Sequence, residues 1–206
     1  MPLPRAAVIT VAAILQLAAA STLTAQSAQK WSVQASGLFV GTFGTAYDGL
    51  KAGPGFEAQL RYTPSLWSIG FGAQASSHDF DDPELQGMSV TLAGAFVEPR
   101  RVIDIGSSSA APYLSVRVAF LQQSIDFDVD DTSLSASASG AQLNAGGGVL
   151  IRMSPRINLD LGATYGLIKF SDVEVDIPGE GSVTVQGSSG NGSNLVLRVG
   201  LAFGLK

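Results

Sequence analysis

The sequence predicts an all-β fold: an eight-stranded antiparallel up-and-down transmembrane β-barrel preceded by a cleavable signal peptide. Three observations predict it. Apolar side chains recur on every second residue along most of the chain beyond residue 30, the period of a strand with one apolar face. The composition is too apolar for an ordinary soluble domain, with charged residues at 14% and mean hydropathy +0.27. Yet no run of 18 apolar residues follows the N-terminal segment, which excludes a transmembrane helix there and leaves strands as the spanning element.

The chain has 206 residues, no cysteine and a formal net charge of −5. Without cysteine there is no disulfide framework and no thiolate metal site. The acidic balance argues against a nucleic-acid partner, because phosphate binding wants a basic face. At the N-terminus Arg5 precedes an apolar stretch over 6–15, continued by Leu17 to Ala20, and Ala25-Gln26-Ser27 supplies small residues for cleavage. That is the layout of an export signal. Residues 1–27 are therefore read as the signal peptide and 28–206 as one barrel domain.

Eight alternating segments follow in order. Trp31, Val33, Ala35, Gly37 and Phe39 form the first apolar face, and Phe56, Ala58, Leu60 and Tyr62 the second. Trp67, Ile69, Phe71, Ala73 and Ala75 form the third. The fourth reads Met88, Val90, Leu92, Gly94 and Phe96, which places Ser89, Thr91, Ala93 and Ala95 inside. Leu114, Val116, Val118 and Phe120 make the fifth, and Leu143, Ala145, Gly147, Val149 and Ile151 the sixth. Ile157, Leu159, Leu161, Ala163, Tyr165 and Leu167 make the seventh, and Leu195, Leu197, Val199, Leu201, Phe203 and Leu205 the eighth. Each is close to the ~9–11 residues that cross a bilayer when tilted. None of these faces carries a charge, and a charge facing lipid at mid-depth costs about 2–4 kcal/mol. The opposite faces are mostly Gly, Ser, Ala, Gln and Asn, small enough for the interior of an eight-stranded barrel. A soluble lipocalin-like barrel would turn its large apolar residues inward and carry more surface charge.

Connection lengths alternate. Thr63-Pro64-Ser65 and Ser154-Pro155-Arg156 are tight turns with Pro as a φ-fixed breaker. The other ends carry longer polar segments, and short periplasmic turns with long outer loops are the pattern of such barrels. Both termini are then expected in the periplasm. From Glu98 to Ala111 the connection is irregular, and Val102, Ile103 and Ile105 are read as an extension of strand four past Pro99 through a bulge. The outer loops hold the acids Asp48, Asp79, Asp81, Asp82, Glu84, Asp126, Asp128, Asp130, Asp131, Asp172, Glu174, Asp176 and Glu180, with Lys51 as their chief positive charge. Lys30, Arg100, Arg101, Arg152, Arg156 and Lys206 gather at the other end. Aromatics fall at two heights, with Trp31, Tyr62, Trp67, Phe96 and Phe203 toward the periplasm and Phe39, Phe56, Phe120 and Tyr165 toward the outside. Amphipathic rings favour both interfaces.

The last strand carries a recognisable pattern. Arg198, Gly200, Phe203 and Leu205 resemble the C-terminal assembly signal of outer-membrane barrels, with Lys206 added where that signal ends on an aromatic. The whole segment after the signal resembles the small outer-membrane β-barrel family, of the OmpA, OmpX and OmpW kind. The resemblance implies insertion by the barrel assembly machinery, contact with outer-membrane lipid and lipopolysaccharide, a monomer, and a Gram-negative-type outer membrane as its location. The chain is expected to end at the barrel, with no peptidoglycan-binding domain after it.

Candidate sites are few. Glu57, Arg61, Arg117, Asp160 and Arg198 sit on the inward faces. Buried charges must pair, because an unpaired one is expensive, so these five are expected to form a network that plugs the lumen. A charged pathway for small solutes, or a barrel binding small apolar solutes, is the alternative. Asp126-x-Asp128-x-Asp130 begins like a calcium loop but has Asp131 in place of the required Gly and Ser137 in place of the bidentate Glu. Ile125, Phe127 and Val129 alternate with these acids as in an extended hairpin. His78 is the only histidine. Some barrels of this size modify lipid A with His and Ser near the outer interface. Here Ser77, His78 and Asp79 alternate faces in a strand and so are poorly placed for a relay, which leaves a lipid A-modifying enzyme as the lesser alternative. Gly146-Gly147-Gly148 lies inside a strand pattern, where glycines allow close approach rather than a phosphate loop. No catalytic residue, cofactor or metal site is expected.

Overall fold

The structure is a computed structural model that describes residues 29–85, 88–129, 132–171, 173–177, 181–185 and 190–205. The expected signal peptide lies outside these residues. Among these residues ten strands form one antiparallel sheet, and eight of them close into a barrel. The barrel strands are β1 (Trp31–Phe43), β2 (Gly53–Tyr62), β3 (Trp67–Asp79), β4 (Ser89–Val102), β5 (Ala110–Val129), β6 (Thr132–Arg152), β7 (Ile157–Phe170) and β10 (Asn191–Leu205). Each pairs with its neighbour in sequence, β7 pairs with β10, and β1 pairs with β10 from Trp31↔Leu205 to Phe43↔Ser193. Closure leaves the barrel no free edge, which a membrane span requires.

Two short strands, β8 (Val173–Ile177) and β9 (Gly181–Val185), were not foreseen. They form a hairpin, and β8 pairs with β6 at Ser135↔Asp176 through Ser137↔Glu174. β5 and β6 stay paired out to Val129↔Thr132, so this hairpin rises well beyond the barrel. At the opposite end the connections are tight. Residues 63–66 join β2 to β3, with the Thr63 amide bonded to the Lys30 carbonyl at 2.7 Å. Residues 153–156 join β6 to β7, and the Ile157 amide donates to Ser154 Oγ at 3.1 Å.

Seven barrel strands present the predicted faces. Phe56, Phe120, Leu143, Leu167 and Val199 are exposed, while Gln34, Glu57, Arg117, Asn144, Asp160 and Arg198 are buried inside. β4 is inverted. Val90, Leu92 and Phe96 point into the barrel and are almost fully buried, whereas Thr91, Ala95 and Val97 are exposed. Phe96 is therefore no part of an aromatic girdle. The physical reason lies two and four residues further along the same face, where Glu98 and Arg100 sit. Turning that face outward would put an ionised Arg against hydrocarbon at about 2–4 kcal/mol, with the Glu adding to it. Turning Val, Leu and Phe inward costs little by comparison, because lipid tails and a barrel interior are similarly apolar.

Nor does β4 contain a bulge. The pairs Val97↔Val118 and Arg100↔Ser115 keep one register across the Pro99 position, and Ile69↔Pro99 continues the ladder to β3. Proline lacks an N–H to give a ladder, so the chain passes through with only the β5 side interrupted. Ile103 adds one more bond, from its amide to the Pro112 carbonyl at 2.8 Å.

The interior is layered. The end with the long connections holds an apolar cluster of Val90, Leu92, Phe96, Leu121, Ile168 and Phe170. A short 3₁₀ turn, Thr45–Tyr47, folds across that mouth and seats Tyr47 in the cluster, edge-on to Phe170 with ring centroids 5.9 Å apart. Gly44 takes φ 92° to enter the turn, a conformation that favours glycine. A smaller cluster of Val102, Ala111, Tyr113 and Leu150 lies toward the tight-turn end. Charged groups fill the middle.

Candidate functional site: a buried ionic network across the lumen

Glu98 is the centre of the middle layer. One carboxylate oxygen, Oε1, accepts from Arg61 Nη2 at 3.0 Å and from Arg100 Nε. The other, Oε2, accepts from Arg117 Nε at 2.7 Å, from Arg117 Nη2 and from Arg198 Nη1 at 3.0 Å. Glu57 takes Arg117 Nη1 at 2.6 Å and Arg198 Nη1 at 3.2 Å. Asp160 takes Arg100 Nη1 at 2.8 Å, Gln34 Nε2 at 2.7 Å and the Tyr113 hydroxyl at 2.6 Å. Arg198 closes the circuit, with Nη2 donating to Tyr113 Oη at 2.9 Å and Nε lying 3.6 Å from Asp160.

The structure thus brings all five residues foreseen from sequence, Glu57, Arg61, Arg117, Asp160 and Arg198, into one network. Sequence reasoning missed Glu98, Arg100 and Tyr113. Glu98 lay in a stretch read as an irregular connection, and Arg100 was assigned to the basic rim, whereas both are buried in the lumen. The signal that finds them is parity: they continue the face of Phe96.

Every group is held by a strand wall, so alternation aims it inward. Neutral residues complete the shell. Arg61 donates to Ser68 Oγ at 3.0 Å and to Gln59 Oε1 at 2.7 Å, and Arg117 to Gln74 Oε1 at 2.7 Å. The guanidinium of Arg117 lies 3.8 Å from the Phe96 ring centroid and that of Arg100 4.3 Å from Tyr113, within the range of cation–π attraction. The Tyr113 hydroxyl reaches the centre by lying over Gly148 and Gly162, where an added Cβ would stand 2.5 and 2.7 Å from it. Of the glycine run in β6 it is Gly148 that gives the phenol room.

Four guanidiniums meet three carboxylates, leaving one formal positive charge. Beneath the network toward the tight turns, a void of about 30 Å³ is bordered by Arg61, Arg100 and Asn158, room for at least one water molecule. Ions, apolar side chains and Tyr47 together occlude the lumen.

The histidine has a different role from the one weighed on sequence. Ser77 and Asp79 are exposed while His78 is fully buried, as alternation requires. Its partner is Ser76, whose Oγ is 2.9 Å from Nε2. Nδ1 lies 3.0 Å from the Lys51 carbonyl. With both nitrogens engaged, the ring ties β3 to the 44–52 connection. Among the described residues no group of three His, Cys, Asp or Glu is placed to hold a metal ion. The side chains of Asp126, Asp128 and Asp130 lie outside those described.

Outside, the wall is apolar and ringed. Phe39, Phe56, Phe120 and Tyr165 are exposed toward the long connections. Trp31 and Tyr62 lie with ring centroids 4.7 Å apart and planes tilted by 38°, and Arg101 lies 5.4 Å from the Trp67 ring, toward the tight turns. The seal inside and the greasy wall outside define a membrane-spanning β-barrel.

The chain belongs to the outer membrane protein beta-barrel domain family, whose model matches residues 9–203. Solved structures with the same fold include Neisserial surface protein A (NspA), with TM-score 0.56 at 16% identity, covering 85% of this chain and 97% of that one. OprG from Pseudomonas aeruginosa gives TM-score 0.54 at 12% identity, covering 88% and 98%. A major outer membrane protein from Thermus thermophilus gives 0.52 at 14%, covering 85% and 98%. No curated protein matches the chain.

Proposed function

We propose that this outer-membrane barrel has a structural or surface-interaction role, carries out no chemistry, and keeps its lumen shut. The observation that carries this reading is the Glu98 network, which binds four arginines from four strands in one cross-section. Such networks add little net stability over apolar packing, but breaking them is costly; the arrangement suits occlusion. Planar-bilayer recordings of the refolded protein are expected to show no steady conductance. Arg117→Ala should lower stability by at least about 1.5–3 kcal/mol, since Glu57 loses one charge-assisted bond and Glu98 two, while both keep Arg198. Steady conductance in the wild type, with Arg117→Ala as stable as the wild type, would favour a channel instead.

The apolar layer beneath Tyr47 supports a second reading, a barrel that binds small apolar solutes once the 44–52 connection lifts. A lipid-modifying enzyme has less support, because His78 is sealed from both lipid and solvent.

The long connections are assigned to the cell exterior and both termini to the periplasm, on the contrast between the tight turns and the long, acidic connections. The absence of native cysteine makes this simple to test. Asp82→Cys should react with a membrane-impermeant maleimide on whole cells, and Arg156→Cys only after lysis. The reverse pattern would invert the barrel. On the same reading Arg198, Gly200, Phe203 and Leu205 present β10 to the assembly machinery, with Phe203 and Leu205 on the outer wall.

A further inference from the structure

The inversion of β4 leaves a depression in the lipid-facing wall. With Val90, Leu92 and Phe96 turned inward, β4 offers only Ala93 and Ala95 to the outside at this height. One cross-strand row runs Gly94↔Leu121↔Gly140↔Phe170, and the next runs Ala95↔Phe120↔Ala141↔Lys169. Small residues therefore lie on β4 and β6, on either side of Phe120 in β5. The result is a groove of about 730 Å³ open to the membrane, floored by Ala93, Gly94, Gly140 and Ala141. Phe120 stands beside it, 71% exposed, and Lys169 borders its other side on β7.

The position of Lys169 is informative. It is the next outward residue after Leu167, the last apolar step of β7, which puts its ammonium at the interface rather than in hydrocarbon. The other described charges of this end are acidic apart from Lys51, which lies 3.9 Å from Asp81. Among the described residues Lys169 has no ion-pair partner. An apolar groove with a cation at its upper edge complements an amphiphile with an acyl tail and an anionic head.

We propose that this groove seats an acyl chain of a phosphate-bearing lipid of the outer leaflet, the chemistry of the lipopolysaccharide anchor, with its phosphate on Lys169. The proposal places the groove in the outer leaflet and so rests on the orientation given above. It concerns a specific seat, distinct from general solvation of the wall by lipid.

Native mass spectrometry of the refolded chain in neutral detergent tests it, with bisphosphorylated lipid A, its phosphate-free counterpart and inorganic phosphate as probes. One bisphosphorylated lipid per barrel should be retained. Lys169→Gln should weaken it about five-fold, the scale of one interfacial lysine, and leave the phosphate-free lipid unchanged. Ala141→Phe should weaken both lipids by filling the groove, and Ala93→Leu fills it from the β4 side should the first variant not refold. Equal retention by wild type and variants would overturn the proposal, as would displacement of the lipid by inorganic phosphate. These affinities do not depend on which way the barrel faces, so an inverted orientation would show in the cysteine labelling alone.

Discussion

Glu98→Ala is expected to cost the folded barrel at least about 3–5 kcal/mol, the range for leaving buried charges uncompensated. Glu98 accepts from Arg61, Arg100, Arg117 and Arg198, and neither Glu57 nor Asp160 contacts all four. Without it, four guanidiniums share Glu57 and Asp160, and the formal charge of the layer rises from +1 to +2. Arg61 loses its only carboxylate partner among the described residues. With total stabilities of roughly 5–15 kcal/mol for a folded domain, such a loss takes a large share. Urea unfolding in lipid vesicles, followed by tryptophan emission and heat-modifiable gel mobility, would measure it. Glu98→Gln keeps the volume but removes the charge and should fall most of the way to the alanine variant. Glu57→Gln raises the layer's charge by the same amount but affects two arginines instead of four, so its cost should be clearly smaller. Equal costs for the Glu98 and Glu57 variants would mean that net charge, rather than the hub geometry, governs the layer.

What was legible in the sequence follows from the bilayer as solvent. A strand repeats its side chains every two residues, and a lipid-facing wall tolerates no charge, so seven faces could be assigned from Phe56, Ala58, Leu60 and their equivalents alone. Five network members were readable because each interrupts an otherwise small, neutral inward face. The fourth strand failed because its bulky residues, Val90, Leu92 and Phe96, looked like a lipid face. The rule that bulky residues face out is a tendency of composition. The rule that ions face in is enforced by energy, and Glu98 and Arg100 had to be counted on the same strand for it to act. Tyr113 was invisible for another reason. Its role depends on Gly148 and Gly162 lying opposite, which is a fact of register. The β8–β9 hairpin and the Tyr47 turn likewise owe their places to tertiary pairing, which no local period records.

Phe96→Ala separates these two rules experimentally. Phe96 is 3% exposed, stands opposite Gly72, and carries the Arg117 guanidinium on its ring. An added Cβ at Gly72 would meet the ring at 2.6 Å, so the phenyl fills the space that the glycine leaves. Removing it opens a cavity inside a closed wall, with a cost of about 3–5 kcal/mol, and uncovers a charged group of the network. Phe71 pairs with Val97 one residue away and faces lipid, 53% exposed. In Phe71→Ala an acyl or detergent chain moves into the vacated volume, and since lipid is as apolar as the lost ring, the expected cost stays below about 1 kcal/mol. The two variants remove the same atoms from adjacent strands, and only the direction of the side chain differs. A urea midpoint lowered strongly by Phe96→Ala and hardly by Phe71→Ala supports an inward fourth strand. The opposite order would turn that strand around, expose Glu98 and Arg100 to hydrocarbon, and leave the charged layer without its centre.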